Sequence, residues 1–299
     1  MKEIGHVSAV VINWDLADET VKAIWSLQAQ TVSCSIIVVD NGSTDDSVSI
    51  ITEQCPGIEL ICLPENQGFA SACNTAIVRA LANTQCEYVL LLNNDARVHQ
   101  DAVHEMLLAI ATMPQAGIVG PKIYYDESPQ KIWYAGARRR RIVLAAADVG
   151  RDQDDKGQFA DMRSVDYVFG AAMLIHRRVF ECVGLFDESF FLYLEDLDFC
   201  LRAQRAGFPL IFVPKALIWH QGSASTARDP SLRRFHTIKG TIIFLRKHAT
   251  PITILPNFLF WSLVFARVVI QDFIGGNMLT LGSYWSGAKS GLLAEIRRT

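Results

Sequence analysis

The sequence predicts an α/β fold: one doubly wound, mostly parallel sheet with helices on both faces, followed by a helical, apolar C-terminal tail. Three observations predict it. Short apolar runs alternate with segments of helical period through the first third of the chain. Strands separated by helices, with short loops between them, imply right-handed crossover units and a mostly parallel sheet. Polar clusters stand where the apolar runs end, at Asn13, at Asp40 and at Asn94-Asp95. In such sheets ligands bind outside the carboxyl ends of the strands.

The elements follow in order. HVSAVVIN, ending at Asn13, reads as a buried strand, and Val21, Ile24 and Trp25 give the next segment one apolar helical face. Residues 35–40 (SIIVVD) form a second strand, and the turn-rich Asn41-Gly42-Ser43-Thr44-Asp45 supplies a sharp bend and a helix N-cap. Residues 58–63 are a weaker third strand. Residues 68–82 are helical, with Phe69, Cys73, Ile77 and Ala80 at helical spacing. Residues 87–92 form a further strand that runs into Asn93-Asn94-Asp95. Val103, Met106, Leu107 and Ile110 mark another helix.

After residues 117–125 the pattern loosens. Residues 138–164 hold Arg138, Arg139, Arg140 and Arg141 and then an acidic, aperiodic stretch, read as a surface loop suited to act as a flexible lid. A strand over 165–175, a helix over 194–206 closed by Gly207, and short strands at 210–213 and 217–219 lead to His220. Residues 252–274 are strongly apolar, but Pro256, Asn257, Arg267 and Asp272 interrupt them. A spanning helix wants about 20 predominantly apolar residues, so the segment is marginal as a span. Trp261, Arg246, Lys247 and Arg267 suit a helix lying on a membrane surface. A cap on a core face and a homodimer contact are the other readings, and the sequence leaves them open.

Composition excludes whole classes. The chain has 299 residues, half of them hydrophobic and a fifth charged, which is ordinary for a globular enzyme. Its formal net charge of −3 gives no electrostatic footprint for nucleic acid, so no nucleic-acid partner is expected. Seven cysteines with no CxxC pair indicate neither a disulfide framework nor a zinc site, and fit a reducing cytoplasm. The segment MKEIGHVSAVVIN lacks the long apolar stretch of a secretory signal. No GxGxxG follows the first strand, which argues against a dinucleotide oxidoreductase.

Two acidic clusters carry the candidate chemistry. A carboxylate directly after a buried strand, as at Asp95, faces the open edge of the sheet, because an unpaired charge is costly in the core. Oxygen ligands there suit Mg²⁺ or Mn²⁺ holding a diphosphate, although a turn with an Asx cap has the same composition. Glu195, Asp196 and Asp198 open a helix, where the dipole favours acids whatever their role. They lie against Phe190, Phe191, Tyr193 and Leu194, and an acid beside such a wall is desolvated toward general-base pKa values. Asp198 and Arg202, four residues apart, are spaced for a supporting ion pair. A lone histidine such as His220 is more often simply hydrogen-bonded than a ligand; only its company raises it. The four arginines are either a solvated loop or a contact for donor or lipid phosphates.

Taken together, VVIN, IIVVDNGSTDDS, ENQGFASACN, YVLLLNNDA, FDESFFLYLEDLDFCLRAQRAG and IWHQGSAS resemble glycosyltransferase family 2, and most nearly its bacterial rhamnosyltransferase-like branch. The resemblance covers roughly residues 6–226 and leaves out the tail. It implies a GT-A fold over residues 1–245, with a nucleotide-binding half (1–125) and an acceptor and catalytic half (126–245), and a separate helical tail (246–299). It also implies an inverting single displacement from a nucleotide-sugar donor, best dTDP-rhamnose, to a glycan or lipid-linked acceptor in cell-envelope synthesis. A uridine-linked sugar is the alternative donor. By position, Asp40 would bind the nucleotide base, with Asn13 nearby at the first strand's end and Asn41 beside it as a further substrate-binding residue. Gly68 would let backbone approach the nucleotide, with Asn74 in the same element. Asn94 and Asp95 occupy the DXD-like motif, where Asn93 replaces the first acid and Asp95 faces the metal. Asp196 would be the base that deprotonates the acceptor, Glu195 its support and His220 a metal ligand. Cys73 stands where some members carry arginine, which removes a diphosphate contact or moves it elsewhere. The enzyme is expected in the cytoplasm, at the inner face of the plasma membrane.

Competing readings make different demands. A nucleotidyltransferase needs a glycine- and lysine-rich loop after the first strand, which is missing here. A silent glycan-binding module would keep the fold without the acidic pair. A membrane adaptor would leave the acidic edge unexplained.

Overall fold

A computed structural model of the chain describes residues 5–140, 142–222, 229–275 and 280–296. The first half is built as the periodicity predicts. Strand β1 (His6–Asn13) is followed by α1 (Ala17–Gln28), β2 (Cys34–Asp40), α2 (Ser47–Gln54), β3 (Glu59–Cys62), α3 (Phe69–Ala82) and β4 (Cys86–Asn93). β4, β1, β2 and β3 lie side by side and parallel. β1 is buried on both faces, which is why its apolar residues run on without alternation. Within α1, Val21 and Ile24 are buried but Trp25 is half exposed, contrary to the expected face. The buried arc also takes in Ala17, Thr20, Ala23 and Leu27, so it centres on the Thr20–Ile24 side and Trp25 falls past its margin.

The second half completes the sheet. β5 (Ala96–Val98), α4 (Ala102–Thr112), β6 (Ile118–Tyr125) and β7 (Ile132–Tyr134) come next. They are followed by β8 (Ala137–Arg139), β9 (Ala146–Asp148), β10 (Arg163–Val165), β11 (Ala172–His176) and α5 (Arg177–Val183), then α6 (Glu195–Arg205) and β12 (Leu210–His220). The order across the main sheet is β10-β12-β6-β11-β4-β1-β2-β3, with β5 added on β12 and β7 on β6. β11 runs antiparallel between β4 and β6, and joins two parallel blocks into one mixed, mostly parallel sheet.

Three sequence expectations are corrected here. Residues 165–175 are not one strand: β10 pairs with β12, β11 pairs with β4 and β6, and the chain between them leaves the sheet. That detour carries Tyr167 and Gly170 to Asp196, and β-rich composition alone does not reveal it. Residues 138–164 are not a plain loop. β8 and β9 form a small antiparallel hairpin, and the half-buried Asp155 accepts hydrogen bonds from the buried Lys122 Nζ (2.8 Å) and from Tyr124 Oη (2.5 Å). Strands three residues long are too short to show alternation. The segments at 210–213 and 217–219 are one strand, because a register shift between Val213 and Leu217 absorbs Pro214.

Three helices close the described chain: α7 (Pro230–His248), α8 (Ile254–Ile274) and α9 (Leu281–Leu293). Asp229 caps α7 by accepting from the Ser231 and Leu232 amides, with Pro230 at the first turn where its missing N–H costs nothing. α9 packs on α7 closely enough that a Cβ on Gly287 would lie 2.7 Å from the Phe235 carbonyl oxygen. A second apolar cluster of Phe190, Leu201, Ile243 and Phe244 fastens α7 to α6.

Candidate active site

The carboxyl ends of β1, β2 and β4 meet at one edge. There Asn13 and Asp40 spend their polar groups on each other. Asn13 Nδ2 donates to Asp40 Oδ2 (2.7 Å), Thr20 Oγ1 donates to Asn13 Oδ1 (2.6 Å), and Asp40 accepts the Ser43 amide (3.0 Å) and hydroxyl (2.6 Å). Both are buried and neither lines the cavity; their neighbours Ile12, Trp14 and Asn41 do. Asn41 ties the turn to the next element, donating to Asn66 Oδ1 (3.0 Å) and accepting the Gln67 amide (3.0 Å). Gly68 follows at φ +87°, a conformation that side-chain-bearing residues avoid. A Cβ there would lie 2.6 Å from the Phe191 carbonyl oxygen, which accepts the Phe69 amide at 2.7 Å. Asn74 points elsewhere: it bonds the Phe186 backbone and Glu188, tying α3 to the 186–188 segment.

The DXD-like turn meets the end of β12. Ala96 of β5 pairs with His220, and the Gln221 amide donates to the Asp95 carbonyl at 3.0 Å. This ladder brings Asp95 Oδ1 within 3.0 Å of His220 Nε2, both side chains nearly fully buried. Asn93 Nδ2 lies 3.3 Å from the same imidazole nitrogen, and Asn94 Nδ2 donates to Thr20 Oγ1 at 3.1 Å. Asn93 Oδ1 and His220 Nδ1 are buried without a hydrogen-bond partner among the described residues. The same residues contain no cluster of three or more His, Cys, Asp or Glu side chains spaced for a metal. The donor set is therefore one carboxylate, one imidazole and one orphaned amide oxygen. It fits a Mg²⁺ or Mn²⁺ that completes its shell with diphosphate oxygens and water.

Opposite stands α6. Two consecutive residues outside the glycine class, Tyr193 (φ 68°) and Leu194 (φ 73°), adopt left-handed backbone directly before it. Such conformations cost of order 1–3 kcal/mol each and persist where the surroundings impose them. The turn delivers Glu195 and Asp196 to the first turn of α6, both buried and both on the cavity. Asp196 is held by three donors: Tyr167 Oη (2.5 Å) and the Gly170 amide (2.8 Å) on Oδ2, and the Leu197 amide (2.7 Å) on Oδ1. Glu195 Oε2 has no hydrogen-bond partner among the described residues. Burial raises the pKa of both. It raises Glu195 well above the usual carboxylate range, with the charge of Asp196 adding to the effect, whereas the donors around Asp196 hold its increase down. A proton shared by the pair therefore belongs on Glu195 and the charge on Asp196.

Asp198 belongs to the core rather than the cavity. Arg202 Nε (2.7 Å), His248 Nε2 (2.7 Å) and Lys247 Nζ (3.0 Å) surround it, so the spaced ion pair forms. Burial opposes its charge, but these three partners outweigh burial and bring its pKa down to about 2.

Asp95, His220, Glu195 and Asp196 line a single cavity of about 300 Å³, together with Asn41, Gly68 and Asn94. Sequence reasoning missed Tyr167, Phe169 and Trp14, which also line it. Trp14, directly after a strand end, was the one detectable signal. Arg138, Arg139 and Arg140 stand on the exposed β8 hairpin, outside this lining; Arg141 and the Ser223-Ala224-Ser225 end of IWHQGSAS lie outside the described residues. A second cavity of about 530 Å³ opens at the amino ends of β1, β2 and β3 beside Ser35, Glu59 and Arg79. It shares no lining residue with the acidic edge, so size does not decide the site.

The chain is 29% identical over 234 residues to the N-acetylglucosaminyl-diphospho-decaprenol L-rhamnosyltransferase of Mycobacterium tuberculosis, covering 71% of this chain and 74% of that one. It is 22% identical over 274 residues to the dTDP-rhamnosyl transferase RfbF of Shigella flexneri, covering 89% and 88%. The solved mannosyltransferase PcManGT from Pyrobaculum calidifontis, in complex with GDP-Man and Mn²⁺, superposes with a TM-score of 0.60 at 15% identity, over 98% of this chain and 88% of that one. That likeness shows the GT-A fold. Residues 8–184 match the family described as Glycosyl transferase family 2. The chain is a glycosyltransferase and belongs to that family.

Proposed function

We propose that this glycosyltransferase moves L-rhamnose from dTDP-rhamnose, with inversion, to a hydroxyl of a lipid-linked glycan in cell-envelope synthesis. The observation that carries the reading is the single cavity on which Asp95 and His220 face Glu195 and Asp196. The rhamnosyl transfer named in two relatives supports the choice of sugar. The first 125 residues would hold the nucleotide, residues 126–245 the acceptor side, and the last 54 the membrane side.

The chemistry follows from the placement. Asp196, kept ionised by Tyr167 and the Gly170 amide, takes the acceptor proton as that oxygen bonds to the anomeric carbon. The bond from that carbon to the β-phosphate oxygen breaks on the opposite face, and dTDP leaves. A divalent cation held by Asp95, His220 and Asn93 would neutralise the charge growing on the departing diphosphate. Asn41 and Gly68 border the nucleotide end and Trp14 offers it an aromatic face. The left-handed Tyr193–Leu194 turn and the Phe191 contact with Gly68 fix the distance between the two ends.

The test incubates the purified protein with a panel of nucleotide sugars, with and without Mg²⁺ or Mn²⁺. Metal-dependent thermal protection by dTDP-rhamnose, with slow release of free rhamnose, is the expected result. Selective protection by a uridine-linked sugar replaces the donor assignment, and protection by no donor at all overturns the reading.

A further inference from the structure

Helix α8 is built inside out. Its buried side chains are polar, Asn257 and Asp272, which lie on one face about four turns apart. Asn257 accepts the Leu144 amide at 2.7 Å and donates to the Ile142 carbonyl at 3.4 Å. Asp272 binds Arg234 through both oxygens (2.9 and 3.0 Å) and also accepts from Thr280 and Tyr284. The opposite arc is apolar and open: Leu255, Leu259, Leu263, Ile270 and Phe273 are each more than half exposed, Leu263 at 72%. A helix packed for water shows the reverse arrangement. An open apolar arc on this scale marks a binding surface.

A basic rim borders it. The β8–β9 hairpin leans on α8 through the Asn257 bonds, and the Arg140 guanidinium sits 5.3 Å from the centre of the Phe260 ring. Arg139 and Arg140 are exposed, Ile142 near the hairpin tip is 63% exposed, and Arg267 on α8 itself is exposed. We infer that α8 and the β8–β9 hairpin together form a docking surface for an anionic phospholipid bilayer, with α8 lying in the plane of the interface. A second copy of this chain would bring the same positive rim to the contact, whereas an anionic surface brings the opposite sign. Spanning is disfavoured by the same bonds: a helix threaded through lipid would take Asn257 and Asp272 away from the partners that satisfy them.

The inference deepens the proposed function by naming the surface from which a lipid-linked acceptor is reached, but it does not need turnover. The test is co-sedimentation of the full chain with vesicles of phosphatidylcholine alone and of phosphatidylcholine with phosphatidylglycerol. At least tenfold tighter binding to the anionic vesicles is expected, weakening with salt. Leu263→Gln/Ile270→Gln/Phe273→Gln, all at exposed sites, should reduce binding to both vesicles at least tenfold. Arg139→Ala/Arg140→Ala should remove only the anionic preference. Donor protection should be unchanged in both variants, which separates this result from a failure of the enzyme reading. Equal binding by wild type and variants, no vesicle binding, or conversion of the chain to a dimer that the glutamine variant abolishes would each overturn the inference. So would resistance of the bound protein to alkaline carbonate extraction.

Discussion

The Tyr167 phenol donates to Asp196 Oδ2 at 2.5 Å from a detour between two strands, and so couples the sheet to the first turn of α6. A donor to a carboxylate stabilises its charged form, so removing it raises the carboxyl pKa. In Tyr167→Phe the acid limb of the kcat–pH profile should move to higher pH by about one unit, the scale of one charge-assisted hydrogen bond. KM for the donor should change little. An unshifted limb would mean that Asp196 is not the group titrating.

Asp196→Asn should lower kcat by about 10²–10⁴-fold, the usual contribution of a positioned base, while thermal protection by the donor persists. Glu195→Gln should cost less, because Glu195 already sits on the protonated side of the pair. Equal losses in the two variants would reassign the base.

Asp95→Ala should weaken donor and metal together. We expect donor affinity to fall at least tenfold, about 1.4 kcal/mol, and the difference between Mg²⁺-loaded and metal-free protein to shrink in thermal shift. His220→Ala should act in the same direction. An intact metal response in both would place the cation elsewhere.

Asp198→Asn removes the carboxylate that Arg202 and His248 share in the core, and leaves Lys247 with Asp187 alone. Breaking such a buried pair costs roughly 3–5 kcal/mol, which should be read as a lower midpoint in urea unfolding. With its folded pKa at about 2, below the unfolded carboxylate range, wild-type Asp198 contributes stability above that range and loses it as pH falls toward 2.

His236 behaves in the opposite charge sense. Burial, aided by Lys239, lowers its pKa to about 4, and its ring stacks on Phe191 at 4.6 Å. The unfolded chain therefore binds this proton first, and stability declines as pH falls from 6.5 toward 4. His236→Gln should flatten that stretch of the Tm–pH curve; an unchanged slope would mean that another group causes it.

The first half was legible because β1 and the later residues of β2 and β4 are buried and announce themselves as apolar runs, with helices of clear period between them. The second half was less so. β8, β9 and β10 are three residues long, and Pro214 hides the continuity of β12. The acidic residues on the cavity could be named from their positions at strand and helix ends. Their holders could not: Tyr167 and Gly170 reach Asp196 only because the chain leaves the sheet between β10 and β11, a long-range event without local pattern. Asn74 looked like a neighbour of the nucleotide, yet it lies nearly two turns of α3 past Gly68 and bonds Phe186 instead.

The ladder that pairs Ala96 with His220 carries a last consequence. Side chains alternate along a strand, so the imidazole's aim is a matter of counting residues back to the irregularity at Pro214. Deleting one residue between that point and His220 should turn the imidazole to the other face, away from Asp95. The irregularity can take up a change of length on its far side, so the strand has a tolerant end and an intolerant one.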